Sequence, residues 1–117
     1  MQINVTGRHL DITDAIRDHI HNKLTHAFHD FPRVLHVHVI LDVQKHRQLA
    51  ELVVQAANHV DVEATAESDD LYVSIDGAID RAAKQLRRRR DRVQDHKPRA
   101  KLGALEAETV EREAGAE

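Results

Sequence analysis

The chain has 117 residues, 41% of them hydrophobic, and no cysteine. That length fits one domain with a modest core, and the missing thiols exclude disulfides, thiolate zinc sites and cysteine nucleophiles. The formal net charge of −3 conceals a segregation: residues 1–80 hold 6 basic and 13 acidic side chains, residues 81–101 hold 10 and 2, and residues 102–117 hold 1 and 5. Blocks of this kind point to one cationic surface with a polyanionic partner. Met1 to Thr6 carry no basic region followed by an apolar run, so no signal peptide is expected. No apolar stretch approaches the ~20 residues of a membrane span, and the expected compartment is the cytoplasm.

Taken in chain order, Gln2 to Thr6 alternate, with Ile3 and Val5 on one face, and predict a short strand. Gly7-Arg8-His9 has the composition of a loop. Thr13 suits the cap of a helix in which Ile16, Ile20, Leu24 and Phe28 form one apolar stripe, and Pro32 is expected to stop it. Val37, Val39, Leu41 and Val43 alternate with His36, His38, Ile40 and Asp42, which predicts a half-buried strand. Lys45 to Gln48 form a polar hairpin connection. Leu52, Val54 and Ala56 then suit the inner face of a third strand, and Ala57-Asn58-His59 a turn. Val60, Val62, Ala64 and Ala66 alternate with Asp61, Glu63, Thr65 and Glu67, giving a fourth strand with an acidic, solvated outer face.

Ser68-Asp69-Asp70 signals a helix start: a capping residue, then acids suited to the positive end of the helix dipole. Leu71, Ile75, Ile79, Ala82, Leu86 and Val93 follow near a 3.6 period, and Pro98 lies just beyond the expected end at about His96. The order β-α-β-β-β-α predicts an α+β two-layer sandwich, with both helices on one face of a four-stranded sheet. Residues 1–97 form the expected folded domain. The Ala- and Glu-rich acidic segment 98–117 is expected to be a disordered tail.

The second helix carries the strongest functional signal. Arg81, Lys84, Arg88 and Arg92 recur at spacings of three and four on a face other than the apolar one, and Arg87, Arg89 and Arg90 widen that strip. Phosphate binding needs cations held in a row, and guanidinium groups bond phosphate in bidentate fashion. The alternative is a solvated face paired with the protein's own acids. Asp91 and Asp95 are the only local ones, and four consecutive arginines repel one another. Arg8, and Lys45 with Arg47, are two further basic spots that would extend the strip if the fold brings them beside the helix. Scarce aromatics argue against base stacking, so a nucleic-acid partner would be recognised through backbone and shape.

Ten histidines raise a metal hypothesis, with His26 and His29 three apart on a helix and His36 and His38 on one strand face. No thiolate and no HExxH pattern supports it. No nucleophile motif or phosphate loop points to an enzyme, a cofactor or a small-molecule substrate. Asp70 suits a cap, and Asp76 and Asp80 suit ion pairs with Arg81 and Lys84 on the same helix.

The opening MQINVTGRHLDITDAIRDHI and the later DDLYVSIDGAIDRAAKQLRRRRDR resemble the bacterial ribosome hibernation-promoting factors, a family that includes the ribosome-associated translation inhibitor Y. The resemblance covers about residues 1–97. It implies a protein that binds the small ribosomal subunit between head and body, in space needed by messenger RNA and by tRNA in the A and P sites. Translation is thereby blocked, and idle ribosomes are protected in stationary phase or stress. By position, the implied rRNA-binding residues are Arg81, Lys84, Arg88, Arg90 and Arg92, with Lys23 and Lys45 matching less closely. Arg87 and Arg89 fall where close relatives carry other residues. Tyr72 matches the family tyrosine, either packing at the helix start or touching RNA. The DGAID run resembles the short promoting factor, which works with a second, ribosome-pairing protein; the acidic extension resembles factor Y, which opposes pairing. A general double-stranded RNA binder, a histidine-rich metal-binding protein and a helix that meets an acidic protein remain the alternatives.

Overall fold

A computed structural model describes the backbone of residues 1–96 and the side chains of residues 1–91. The segment expected as a tail and the side chains of Arg92 and Val93 lie outside the described residues. The elements are β1 (Gln2–Arg8), α1 (Asp14–Ala27), β2 (Val34–Gln44), β3 (Arg47–Ala56), β4 (Val60–Ser68) and α2 (Leu71–His96). The sheet runs β1-β2-β3-β4, parallel between β1 and β2 and antiparallel elsewhere. The β-α-β-β-β-α order and the four-stranded sheet are those expected. Contacts along the chain divide it into two units, Met1–Leu86 and Arg87–Glu117.

The core of the first unit lies between the sheet and its helices. Ile16, Ile20, Leu24 and Phe28 supply the stripe of α1; Ile75, Ala78, Ile79, Ala82, Ala83 and Leu86 supply that of α2. They meet Val37, Val39, Leu41, Leu52, Val54, Val62 and Ala64 of the strands. Half of the α2 contact residues are alanine, which lets the helix backbone lie close to β4. Gly77 marks the tightest point: a Cβ there would sit 3.2 Å from the Cβ of Ala66.

Local chemistry sets the element ends. Thr13 caps α1 as expected, its Oγ1 accepting from the Ile16 N–H at 3.2 Å. α1 ends at Ala27, before Pro32, because Phe28 leaves helical geometry, buries its ring and meets Phe31 edge to face at 6.3 Å. At α2 the cap is Asp70, not Ser68. The Asp70 carboxylate accepts from the Tyr72 N–H at 2.9 Å, while Ser68 hydroxyl bonds Ser74 and the Asp70 backbone.

Two connections are shorter than the composition suggests. Gly7 and Arg8 belong to β1, because the parallel ladder with β2 continues to the Arg8–Asp42 pair. Glycine is needed at position 7, where a Cβ would stand 2.6 Å from the Leu10 carbonyl oxygen of the chain folding back. Likewise Arg47 and Gln48 belong to β3, leaving only Lys45 and His46 as the turn, with Lys45 in the left-handed region at φ 56°. In β2 the alternation also breaks: Asp42 is buried on the outer face, whereas Val43 is only half-buried.

Ile79 is fully buried between α2 and the sheet. Ile79→Ala is expected to cost about 3 kcal/mol of stability through lost burial and a residual cavity, read as a shift in the urea midpoint at unchanged m-value.

Candidate nucleic-acid interface

The strip on α2 begins in the first unit. Lys84 is exposed and has no ion pair or side-chain hydrogen bond among the described residues. Arg81 behaves differently. Its guanidinium donates to the backbone carbonyl of Thr65, and one turn on, the Gln85 amide donates to the carbonyl of Glu63 at 2.8 Å. Both acceptors belong to β4, an edge strand of the sheet.

Asp76 and Asp80 of α2 pair across the helices, not along their own as expected. The Asp76 carboxylate meets His19 Nε2 at 2.7 Å, and Asp80 meets Lys23 Nζ at 3.1 Å. The Tyr72 ring adds an edge-to-face contact with the His19 ring, centroids 4.8 Å apart. Spacings of four on both helices align these partners: His19 and Lys23 on α1 with Tyr72, Asp76 and Asp80 on α2. Lys23 is thus matched by its own acid, and Tyr72 keeps about 39% of its surface exposed.

On the helix-free face of the sheet, Arg8 and Arg81 line one open groove of about 400 Å³. Asp42, Glu51 and Glu67 line it too, so its charge is mixed, and its lining does not include Lys45. Arg47 is held at 2.6 Å by Glu67 in an exposed pair, worth little in water. Lys45 projects from the β2–β3 turn, exposed and without an ion pair among the described residues.

The second unit is described through the last turns of α2. Arg87, Arg88 and Arg89 are exposed, and Arg90 is half-buried with its Nε 3.4 Å from Asp91. Arg87 and Arg89 have no ion pair or hydrogen bond through their side chains among the described residues. Arg92 lies within the helix.

Sequence reasoning missed the His19–Asp76 pair, the buried Asp42 and the use of Gln85. The polar strips flanking each apolar stripe held a signal for the first. Nothing in the sequence marked the others, because Asp42 depends on His9 folding over it and Gln85 on a carbonyl that the fold brings near. Among the described residues no three His, Asp or Glu side chains are grouped to hold a metal ion, and no helix is long and apolar enough to cross a membrane.

A model of the family described as Sigma 54 modulation protein / S30EA ribosomal protein matches residues 3–94, ending inside α2. The chain belongs to that family. The S30EA family is one of ribosome-associated factors and not an enzyme family. A ribosome hibernation promoting factor of Klebsiella oxytoca is 36% identical over 96 residues, covering 82% of this chain and 100% of that protein. One from Azotobacter vinelandii is 37% identical over 86 residues, covering 74% and 79%. Among solved structures, the Protein Y N-terminal domain of Thermus thermophilus superposes with a TM-score of 0.69 at 34% identity, covering 75% of this chain and 98% of its own. A ribosomal subunit interface protein from Coxiella burnetii gives the same TM-score at 26% identity, covering 78% and 99%.

Asp42 carries the titration that the fold perturbs. The His9 ring nitrogen at 2.8 Å, the Gln44 amide and the Val43 N–H hold its carboxyl below the usual carboxylate range, against the opposing effect of burial. With the folded value depressed, the carboxylate's contribution is complete above the ordinary carboxylate pKa and is lost as pH falls through the folded value. Asp42→Asn is therefore expected to be less stable than the parent at neutral pH, and the two should converge as pH falls below about 4. Urea melts across that range provide the check.

Proposed function

We propose that this protein is a ribosome hibernation factor acting by steric exclusion. It binds the small ribosomal subunit, alone and in whole ribosomes, in the channel of messenger RNA and the A- and P-site tRNAs. Occupying that channel blocks translation and stabilises idle cytoplasmic ribosomes under stress or in stationary phase. The observation that carries this reading is the conjunction of the family match with the charge segregation. Of the chain's 17 basic residues, 10 fall in residues 81–101, beside only 2 acids, in a family of ribosome-associated factors.

In this reading the rRNA backbone is met by Lys84, Arg87, Arg88, Arg90 and Arg92 of α2, with Lys45 and Arg8 as outlying contacts. A helix presents such a row with little further ordering on binding, and backbone phosphates are the natural partners of Arg and Lys. Tyr72 and Lys23, engaged with His19 and Asp80, support the pairing of α1 with α2 and touch RNA less. Residues 1–97 carry the binding activity.

Lys84→Glu with Arg88→Glu should abolish co-sedimentation with small subunits and 70S ribosomes while circular dichroism and the urea midpoint stay near the parent's. Full co-sedimentation of that folded variant would overturn the proposal. Release by stoichiometric duplex RNA would identify a general double-stranded RNA binder instead. Affinity of the parent should fall steeply with salt, by about a thousandfold between 50 and 200 mM for some six phosphate contacts. Lys45→Gly separates binding from folding. It removes a cation together with a left-handed non-glycine residue, so affinity should fall while stability rises by about 1 kcal/mol.

A further inference from the structure

The contact that α2 makes with the free edge of β4 gives Arg81 a role different from that of the other cations. We infer that Arg81 and Gln85 are positioning residues that fix the roll of α2 on the sheet, and that Arg81 is not a phosphate contact. This inference rests on the ribosome-binding reading only for its effect on affinity; the clamp itself belongs to the free protein.

The apolar contact of α2 is anchored by Ile75, Ile79 and Leu86, and the fine setting of its roll falls to polar contacts. Ala78, Ala82 and Ala83 are small, smooth surfaces, and Gly77 has no side chain at all. Large interlocking side chains that would resist rotation are few along this stretch. A roll of about 20° on a helix of ~5–6 Å outer radius carries a group at that radius about 2 Å sideways. That shift breaks a hydrogen bond and must be reversed, at a cost in affinity, before Lys84 meets its phosphate.

Directional contacts lock the roll on both flanks. Toward α1, Asp76 and Asp80 hold His19 and Lys23. Toward β4, the Arg81 guanidinium and the Gln85 amide take successive outward carbonyls, Thr65 and Glu63, two residues apart on the strand and one turn apart on the helix. Because the helix climbs about 6 Å in four residues and the strand about 6.6 Å in two, the two donors meet the two acceptors in step. Each outward carbonyl of an edge strand lacks a ladder partner, so a donor from a covering helix satisfies a group that the fold otherwise leaves to water. Arg81 is exposed and keeps its charge, yet one of its N–H groups is committed to a carbonyl. A neutral amide does the same work one turn later, so the position calls for reach and a donor, not for a cation.

The test measures ribosome affinity as a function of salt for Arg81→Ala, Arg81→Gln, Gln85→Ala and Lys84→Ala in the full chain. A lost phosphate contact lowers the slope of log K against log salt by about 0.7–0.9; a lost positioning contact lowers affinity and leaves the slope alone. Lys84→Ala should lower the slope. Arg81→Ala and Gln85→Ala should each weaken binding by about tenfold at the parent's slope, and Arg81→Gln should recover most of the loss. A slope reduced by Arg81→Gln, with Gln85→Ala indistinguishable from the parent, would overturn the inference. Amide hydrogen exchange of the free protein is read alongside. Arg81→Ala and Gln85→Ala should speed exchange across residues 78–86, and unchanged exchange in both would overturn the clamp whether or not the ribosome binds. Failure of the parent itself to bind ribosomes, with faster exchange in the variants, would remove the proposed function and leave the clamp standing.

Discussion

Most of this structure depends on how closely α2 can approach the sheet. Its first four turns bury alanine, isoleucine and one leucine against the strands, and a glycine faces Ala66 at the narrowest point. Close approach of helix backbone to strand brings polar atoms of the two within reach. It explains why Ser74 can be fully buried, its hydroxyl donating to the Gln48 carbonyl at 2.7 Å. It explains equally why Arg81 and Gln85 reach β4. Larger residues along the same face would hold the helix off, and those bonds would pass to water. Small side chains here contribute less apolar burial than leucines would, and the polar contacts they permit supply direction.

The electrostatic design follows the same geometry. The first unit holds most of the chain's acids, and many are engaged locally: Asp76 with His19, Asp80 with Lys23, Glu67 with Arg47, Asp42 with His9. Apart from that of the buried Asp42, these exposed or half-exposed pairs add little stability each. Their greater effect is on the field: cations that meet their own carboxylates are muted as seen by a distant polyanion. Lys84, Arg87 and Arg89, with no such partners among the described residues, keep their full charge. All three lie on α2, within the segment that holds 10 of the chain's 17 basic residues.

The sequence made the framework legible because the period-2 and period-3.6 patterns are strong and few residues break them. Every expected element is present, and the Thr13 cap is the expected one. Where prediction missed, the cause was tertiary. Gly7 and Arg8 have loop composition yet extend β1, since pairing with β2 outweighs local preference. Asp42 fits the polar side of an alternating strand, and nothing local reveals that His9 will fold over it. Asp76 and Asp80 have intrahelical partners at permissible spacing, but α1 offers nearer ones. The basic strip was visible as a run of charge. Which of its members are free to act was not, because that depends on carbonyls and carboxylates from distant parts of the chain.

The covered edge of β4 also bears on self-association. A sheet with two bare edges can add copies of itself at both sides, and repetition of that step makes a fibre. Here two side chains occupy the outward carbonyls of one edge. Strand pairing between copies is thereby disfavoured at β4 and left to β1 of both molecules, an arrangement that closes on itself after two copies.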